Sequence, residues 1–394
     1  MKNNNYSLFK PTRERKIAKR LNNFNEYVFA QLAKKVADVE SRKGRKVLNF
    51  GPGNPDYPPD KEYLGKFQQF IIEKGSSHYP GYGASKEFST ALVEWYKGRF
   101  GVSLDGDECY PLLGGKDGLS SLSLALLDPG DEVLVPDPGY PGFVGPALMV
   151  GACPVSYDLL PEQEFKINLN QLTKKLSAKT KAIWINFPSN PTGQVASLEE
   201  LNSLVDFAKQ NNIWLLYDNA YADITYDNFV APSILEIPGA KDVAVEIGSF
   251  SKMFSFAGFR MGWIVGNSKL ITAVAKVKSQ LDSGMSRPLQ KLGAYALENY
   301  NQDWNRAMLK SYENRRNIIA EKLNGLGLSF PLPKGALYIW AKISDQEEGA
   351  NQFCDRLLEE RQISLVPGTA YGKNGERYVR ASFCINVDNI NDYF

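Results

Sequence analysis

Residues 213–221 read Ile-Trp-Leu-Leu-Tyr-Asp-Asn-Ala-Tyr. A short, continuous apolar run closed by a carboxylate, Asp218, is the pattern of a strand buried on both faces whose carboxyl end meets a polar site. Four more runs of this kind flank it: Glu132-Val-Leu-Val135, Ala182-Ile-Trp-Ile185, Val243-Ala-Val245 and Met261-Gly-Trp-Ile-Val265. Between them, residues 116–127 and 198–210 space their apolar side chains near the 3.6-residue helical period. Strands alternating with helices predict an α/β fold, with a mostly parallel sheet covered by helices on both faces. Ligands of such sheets lie at the carboxyl ends of the strands.

Beyond residue 285 the pattern changes. Leu289, Leu292, Leu297, Tyr300, Trp304 and Met308 mark one face of a long helix leaving the central region. The runs 336–343, 363–366 and 378–385 then predict strands of a smaller α+β domain. Residues 26–40 read as a helix packing on that domain, with Gly51-Pro-Gly-Asn-Pro55 as the crossing point. The expected division is 1–48 as arm and helix, 49–285 as the large domain and 286–394 as the small one.

With 394 residues, 43% hydrophobic and 23% charged, the chain has the balance of a soluble globular protein of two or three domains. A net charge of +2 predicts neither nucleic acid nor a membrane surface as partner. The first twenty residues are more basic, with Lys2, Lys10, Arg13, Arg15, Lys16, Lys19 and Arg20 against Glu14; a solvated or subunit-crossing arm is the expected reading. Four scattered cysteines predict free thiols in the cytoplasm. One histidine argues against a His-rich metal site and against a Ser-His-Asp or Cys-His arrangement, so proton transfer falls to Lys, Tyr or a carboxylate.

Residues 249–262, Ser-Phe-Ser-Lys-Met-Phe-Ser-Phe-Ala-Gly-Phe-Arg-Met-Gly, hold the first candidate. Lys252, ringed by small and aromatic residues, reads as an amine kept neutral enough to form a Schiff base; a solvated lysine is the plainer alternative. Asp218 suits a protonated pyridine nitrogen, though alone it could be a helix cap. Tyr221 and Asn190 could reach the ring oxygen of the same group. Gly114-Gly115-Lys116 precedes a helix and, with Ser249 and Arg260, offers a phosphate site. Tyr140 could stack on the ring, or be a turn aromatic. Arg380, inside an apolar strand, awaits a carboxylate, either a substrate's or one of the chain's own. Together these residues point to pyridoxal 5'-phosphate.

The ordered series Gly-Asn-Pro-Asp, Tyr-Pro-Gly-Tyr, Gly-Gly-Lys, Asp-Pro-Gly-Tyr-Pro, Asn-Pro-Thr-Gly, Tyr-Asp-Asn-Ala-Tyr, Ser-Phe-Ser-Lys and Arg-Ala-Ser resembles the class I/II aminotransferases of fold type I. Glu26-Tyr-Val-Phe-Ala and Leu281-Asp-Ser-Gly-Met are similar to the LL-diaminopimelate and alanine aminotransferase branch. The resemblance implies a seven-stranded central sheet, Lys252 as the Schiff-base amine, and Arg380 with Gly53 on a substrate carboxylate. It also implies a homodimer in which Tyr79 reaches the neighbouring subunit's phosphate, with Tyr82 as the competing choice. The reaction implied is transfer of an amino group from an L-amino acid to a 2-oxo acid. A C–S lyase or decarboxylase using the same cofactor, or a non-catalytic regulator, are the alternatives. Arg287 is either a contact to a second substrate carboxylate or a surface residue at a helix start.

Overall fold

The computed structural model describes residues 16–24 and 26–394. Lys2, Lys10, Arg13, Glu14 and Arg15 of the basic arm therefore lie outside the described residues. The central sheet has seven strands, in the spatial order Cys109–Leu112, Gly262–Gly266, Ala244–Ser249, Trp214–Asp218, Thr180–Asn186, Glu132–Asp137 and Cys153–Asp158. Only Gly262–Gly266 runs antiparallel to its neighbours; the other pairings are parallel.

The continuous apolar runs arise because the sheet is buried on both sides. Leu216 and Trp184 join a core with Leu119, Leu122, Leu270 and Val274 from the helices Gly115–Leu126 and Ser268–Leu281. Leu215, Ile183 and Ile185 join the opposite core with Leu201, Leu204 and Val205 of the helix Leu198–Asn211. That helix starts at a reciprocal cap between Ser197 and Glu200 and stops at Asn212, whose φ of 51° takes the left-handed conformation asparagine tolerates.

A second core forms around a three-stranded antiparallel sheet, Val366–Pro367, Tyr378–Ser382 and Tyr338–Lys342. The helices Gln302–Gly325 and Ala350–Arg361 cover it with Met308, Tyr312, Ile319, Phe353 and Leu357. The helix Val28–Lys43 lies against Ala350–Arg361 through Val36, Val39 and Leu358, with Lys35–Asp355 and Arg42–Glu359 ion pairs at its rim. Leu48–Asn49 pairs in parallel with Ile363–Ser364, stitching an early segment of the chain to a late one.

The single long helix expected across residues 289–308 is two helices, Arg287–Glu298 and Gln302–Gly325. Asn299 ends the first, and the Asn301 side chain caps the second by accepting from the backbone N–H groups of Asp303 and Trp304. The first packs on the large-sheet side, where Gly293 leaves room for Phe88, Phe250 and Met261.

Candidate active site

The register of the sheet gathers the polar ends of its strands. Asn186 pairs with Asp218 on the next strand, and Ser249 ends the strand beyond it. Above them a cavity of about 500 Å³ is lined by Gly53, Gly115, Lys116, Tyr140, Asn190, Asp218, Tyr221, Ser249, Lys252, Arg260 and Arg380. The structure thus brings eleven of the thirteen predicted site residues to one place, Gly114 adjoins them, and Tyr79 is elsewhere.

Lys252 sits in the short helix Phe250–Met253, which Ser249 caps by accepting from the Ser251 N–H at 3.2 Å. Its ammonium donates to the Gly53 carbonyl at 2.8 Å and stands 5.6 Å from the Tyr221 ring centre. Burial is the main reason its pKa falls from 10.5 to about 8; the Arg380 and Arg260 cations push the same way, while Cys384 and Asp218 oppose. The side chain is half-buried and lines the cavity with its amine on a backbone carbonyl, unlike a freely solvated lysine.

Burial also raises the Asp218 carboxyl from 3.8 to about 6, against the Ala220 N–H and the Lys252 cation, which favour its charged form. It contacts the Ala220 N–H at 3.3 Å and, among the described residues, no cation directly. Asn186 holds this corner: its amide donates to the Asp218 carbonyl at 2.8 Å, and its carbonyl accepts from the Asn190 N–H at 2.9 Å.

Arg380 is 2% exposed. It donates to the Asn190 side-chain oxygen at 3.0 Å and to the Gly51 carbonyl, and its Nε has no partner among the described residues. The rings of Tyr338, Tyr371 and Phe29 surround it at 4.1, 5.1 and 5.4 Å. No carboxylate of the described residues pairs with it, so the internal salt bridge left open by the sequence is absent.

Gly114 precedes the helix Gly115–Leu126 with a φ of 91°, and a Cβ there would lie 2.4 Å from an Arg260 nitrogen. The guanidinium therefore stands directly against the helix N-terminus, a pairing that suits a phosphate. Lys116 is exposed, with its ammonium 4.9 Å from the Tyr27 ring centre and no ion pair among the described residues. Tyr79 is 82% exposed and does not line the cavity. Arg287 is likewise exposed, near the Gly75 turn.

Sequence reasoning missed Tyr27, Phe29, Asn186, Ser251 and Tyr338 in the wall. Asn186 carried the same signal as Asp218, a polar residue closing an apolar strand. Tyr338 bonds Tyr221 hydroxyl to hydroxyl at 2.8 Å, in a seat that exists only because Gly53 has no side chain: a Cβ there would fall 2.0 Å from the Tyr338 oxygen.

Among the described residues, no group of His, Cys, Asp or Glu is arranged to hold a metal ion, and no helix is long and apolar enough to cross a membrane. The donor set fits pyridoxal phosphate instead. The amine is kept partly neutral, the buried acid lacks a cation, an unpartnered guanidinium nitrogen stands in the same wall, and the helix end beside Arg260 admits an anion that a Cβ at Gly114 would crowd. Fold and site together define a pyridoxal-phosphate enzyme acting on amino acids.

Comparison with known proteins agrees. Residues 45–392 match the aminotransferase class I and II family. The LL-diaminopimelate aminotransferase of Dehalococcoides mccartyi is 36% identical over 94% of this chain and 95% of its own; that of Natranaerobius thermophilus is 36% identical over 95% and 96%. The aspartate aminotransferase structure from Thermotoga maritima superposes with a TM-score of 0.88 at 30% identity, covering 96% and 97%. The chain belongs to the class I and II aminotransferases and transfers amino groups with pyridoxal phosphate.

Proposed function

We propose that the amino donor is LL-diaminopimelate, handled by a homodimer in the cytoplasm. The observation that carries the amino-acid site is Arg380, a buried guanidinium with no carboxylate of its own in the cavity that holds Lys252. A substrate α-carboxylate would complete it in bidentate fashion, assisted by the backbone of Gly53. The full-length likeness to enzymes named for LL-diaminopimelate supports the choice of donor, and Lys116 leaves a cation in the wall for a second carboxylate. The four cysteines are free thiols, which supports a reducing compartment.

Pyridoxal phosphate supplies an aldehyde that condenses with amines and a ring that draws electrons from the substrate Cα. Asp218 would hold the ring nitrogen protonated by giving it a buried counter-charge. Tyr221 and Asn190 would donate to the ring oxygen, and Tyr140 would stack on the ring. Ser249, Arg260 and the N–H groups at Gly114, Gly115 and Lys116 would hold the phosphate. Lys252 would hold the cofactor aldehyde through Nζ, and its free amine would be the group placed to hold or move the proton of the substrate Cα. Exposed Ile72, Tyr79, Tyr82 and Leu281 support a subunit interface in which Tyr79 reaches the partner's phosphate.

A donor panel against 2-oxoglutarate and pyruvate tests this reading. LL-diaminopimelate should give the highest kcat/KM. If aspartate or an aromatic amino acid outruns it tenfold, the donor assignment fails; if no amino acid yields the pyridoxamine form, the residue roles fail as well.

A further inference from the structure

Lys278, in the helix Ser268–Leu281, is 1% exposed, although lysine is rarely buried. Its ammonium touches Asp117 at 2.5 Å and Asp282 at 2.7 Å. Each carboxylate is also committed to a different loop. Asp117 accepts from the Leu113 N–H at 2.8 Å, immediately before Gly114 and Gly115. Asp282 accepts from the Gly284 N–H at 2.8 Å.

The Gly284 loop is locked to the loop that carries Tyr79 and Tyr82. A Cβ at Gly284 would lie 2.4 Å from the Gly81 carbonyl, so the two backbones are in direct contact. Gln290 closes the same seam, donating to the Met285 carbonyl at 2.8 Å and accepting from the Ser85 N–H at 2.6 Å. From the other side the Tyr110 hydroxyl donates to the Tyr82 carbonyl at 2.7 Å. One buried ammonium therefore joins the loop ahead of the anion-holding helix to the exposed loop proposed to meet a second subunit. Without it, two carboxylates would face each other across the joint with no counter-charge, a costly arrangement that drives the loops apart.

We propose that Lys278 is a positioning residue that couples phosphate binding in one subunit to association with the other. This rests on the homodimer reading above. Cofactor that orders the Gly114–Gly115 turn then also orders the Tyr79 loop, and by linkage the two binding events strengthen each other by one common factor.

The experiment is sedimentation of the apoenzyme over a concentration series, with and without pyridoxal phosphate, alongside titrations with pyridoxal phosphate and with unphosphorylated pyridoxal. In the wild type, the cofactor should tighten subunit association by roughly tenfold, within the usual range for coupled sites. Lys278→Met should cut that factor from roughly tenfold to roughly threefold, the part the Tyr79 contact alone supplies, and raise the pyridoxal phosphate Kd by roughly tenfold, leaving the pyridoxal Kd unchanged, a pattern that general loosening of the fold would not give. Should that variant fail to fold, Asp282→Asn keeps the Lys278–Asp117 pair and cuts only the interface side; it should lower the coupling factor by the same amount and keep the cofactor Kd of the monomer. Wild-type coupling in either folded variant overturns the proposal. A wild type that dimerises indifferently to cofactor overturns it too and spares the homodimer reading, whereas a wild type that stays monomeric at every concentration removes both.

Discussion

Burying the Asp218 carboxyl costs the apoenzyme stability, and the cost can be measured. Burial raises its carboxyl from 3.8 to about 6, so without a cationic partner the folded chain holds this proton more tightly than the unfolded chain does. Stability from this group is therefore greatest below the unfolded value, is lost as pH rises from about 3.8 to about 6, and stays lost above that. A shift of this size corresponds to about 3 kcal/mol. Asp218→Asn keeps an oxygen for the Ala220 N–H and removes the charge. We expect the apoenzyme variant to be more stable than wild type by about 2–3 kcal/mol at pH 8, with the gain shrinking toward zero near pH 4. Urea unfolding at fixed protein concentration across this range measures it. With pyridoxal phosphate added the order should reverse, because the wild-type carboxylate then has its cation, and turnover of the variant should drop by orders of magnitude. An apoenzyme variant no more stable than wild type at pH 8, or a gain independent of pH, would refute the reasoning.

Three further outcomes follow from the same geometry. Lys252→Ala should abolish both the visible absorbance of bound cofactor and turnover, and any multiple-turnover transamination in it would remove Lys252 from the chemistry. Because the Lys252 amine titrates near 8 instead of 10.5, the rate of cofactor capture by the apoenzyme should climb with pH and level off above about 8; stopped-flow absorbance that keeps rising through pH 10 would count against a lowered pKa. Arg380→Lys replaces a two-pronged donor by a point charge, so KM for donor and acceptor acids should rise by roughly 100-fold, equivalent to about 3 kcal/mol, with kcat changed less; unchanged KM values would move the carboxylate site elsewhere.

The central strands were legible because burial on both faces leaves a continuous apolar run, as in Leu215–Leu216. The two edge strands gave no such run. Cys109–Leu112 carries Pro111 and Cys153–Asp158 carries Pro154; proline lacks a ladder donor and is tolerated at an edge, so these strands emerged from family resemblance alone. Apolar spacing stayed in phase across Asn299–Asn301, which disguised two helices as one, although Asn301 carried a capping signal. In the site, polar residues that close strands could be read directly. Phe29 and Tyr338 could not, because they reach the cavity only through packing between distant segments: Phe29 over Arg380, Tyr338 over a glycine 285 positions earlier in the chain.

The pairing of Leu48–Asn49 with Ile363–Ser364 has a mechanical side. Phe50 extends the stitch, donating to the Ser364 carbonyl and accepting from the Ser382 N–H, both at 2.9 Å. Gly51 then holds Arg380, and Gly53 holds the amine of Lys252. Those two glycines form a tether two residues long between the carboxylate anchor and the reactive nitrogen. Any displacement imposed on the Arg380 end of that tether would reach the Lys252 amine through two backbone residues.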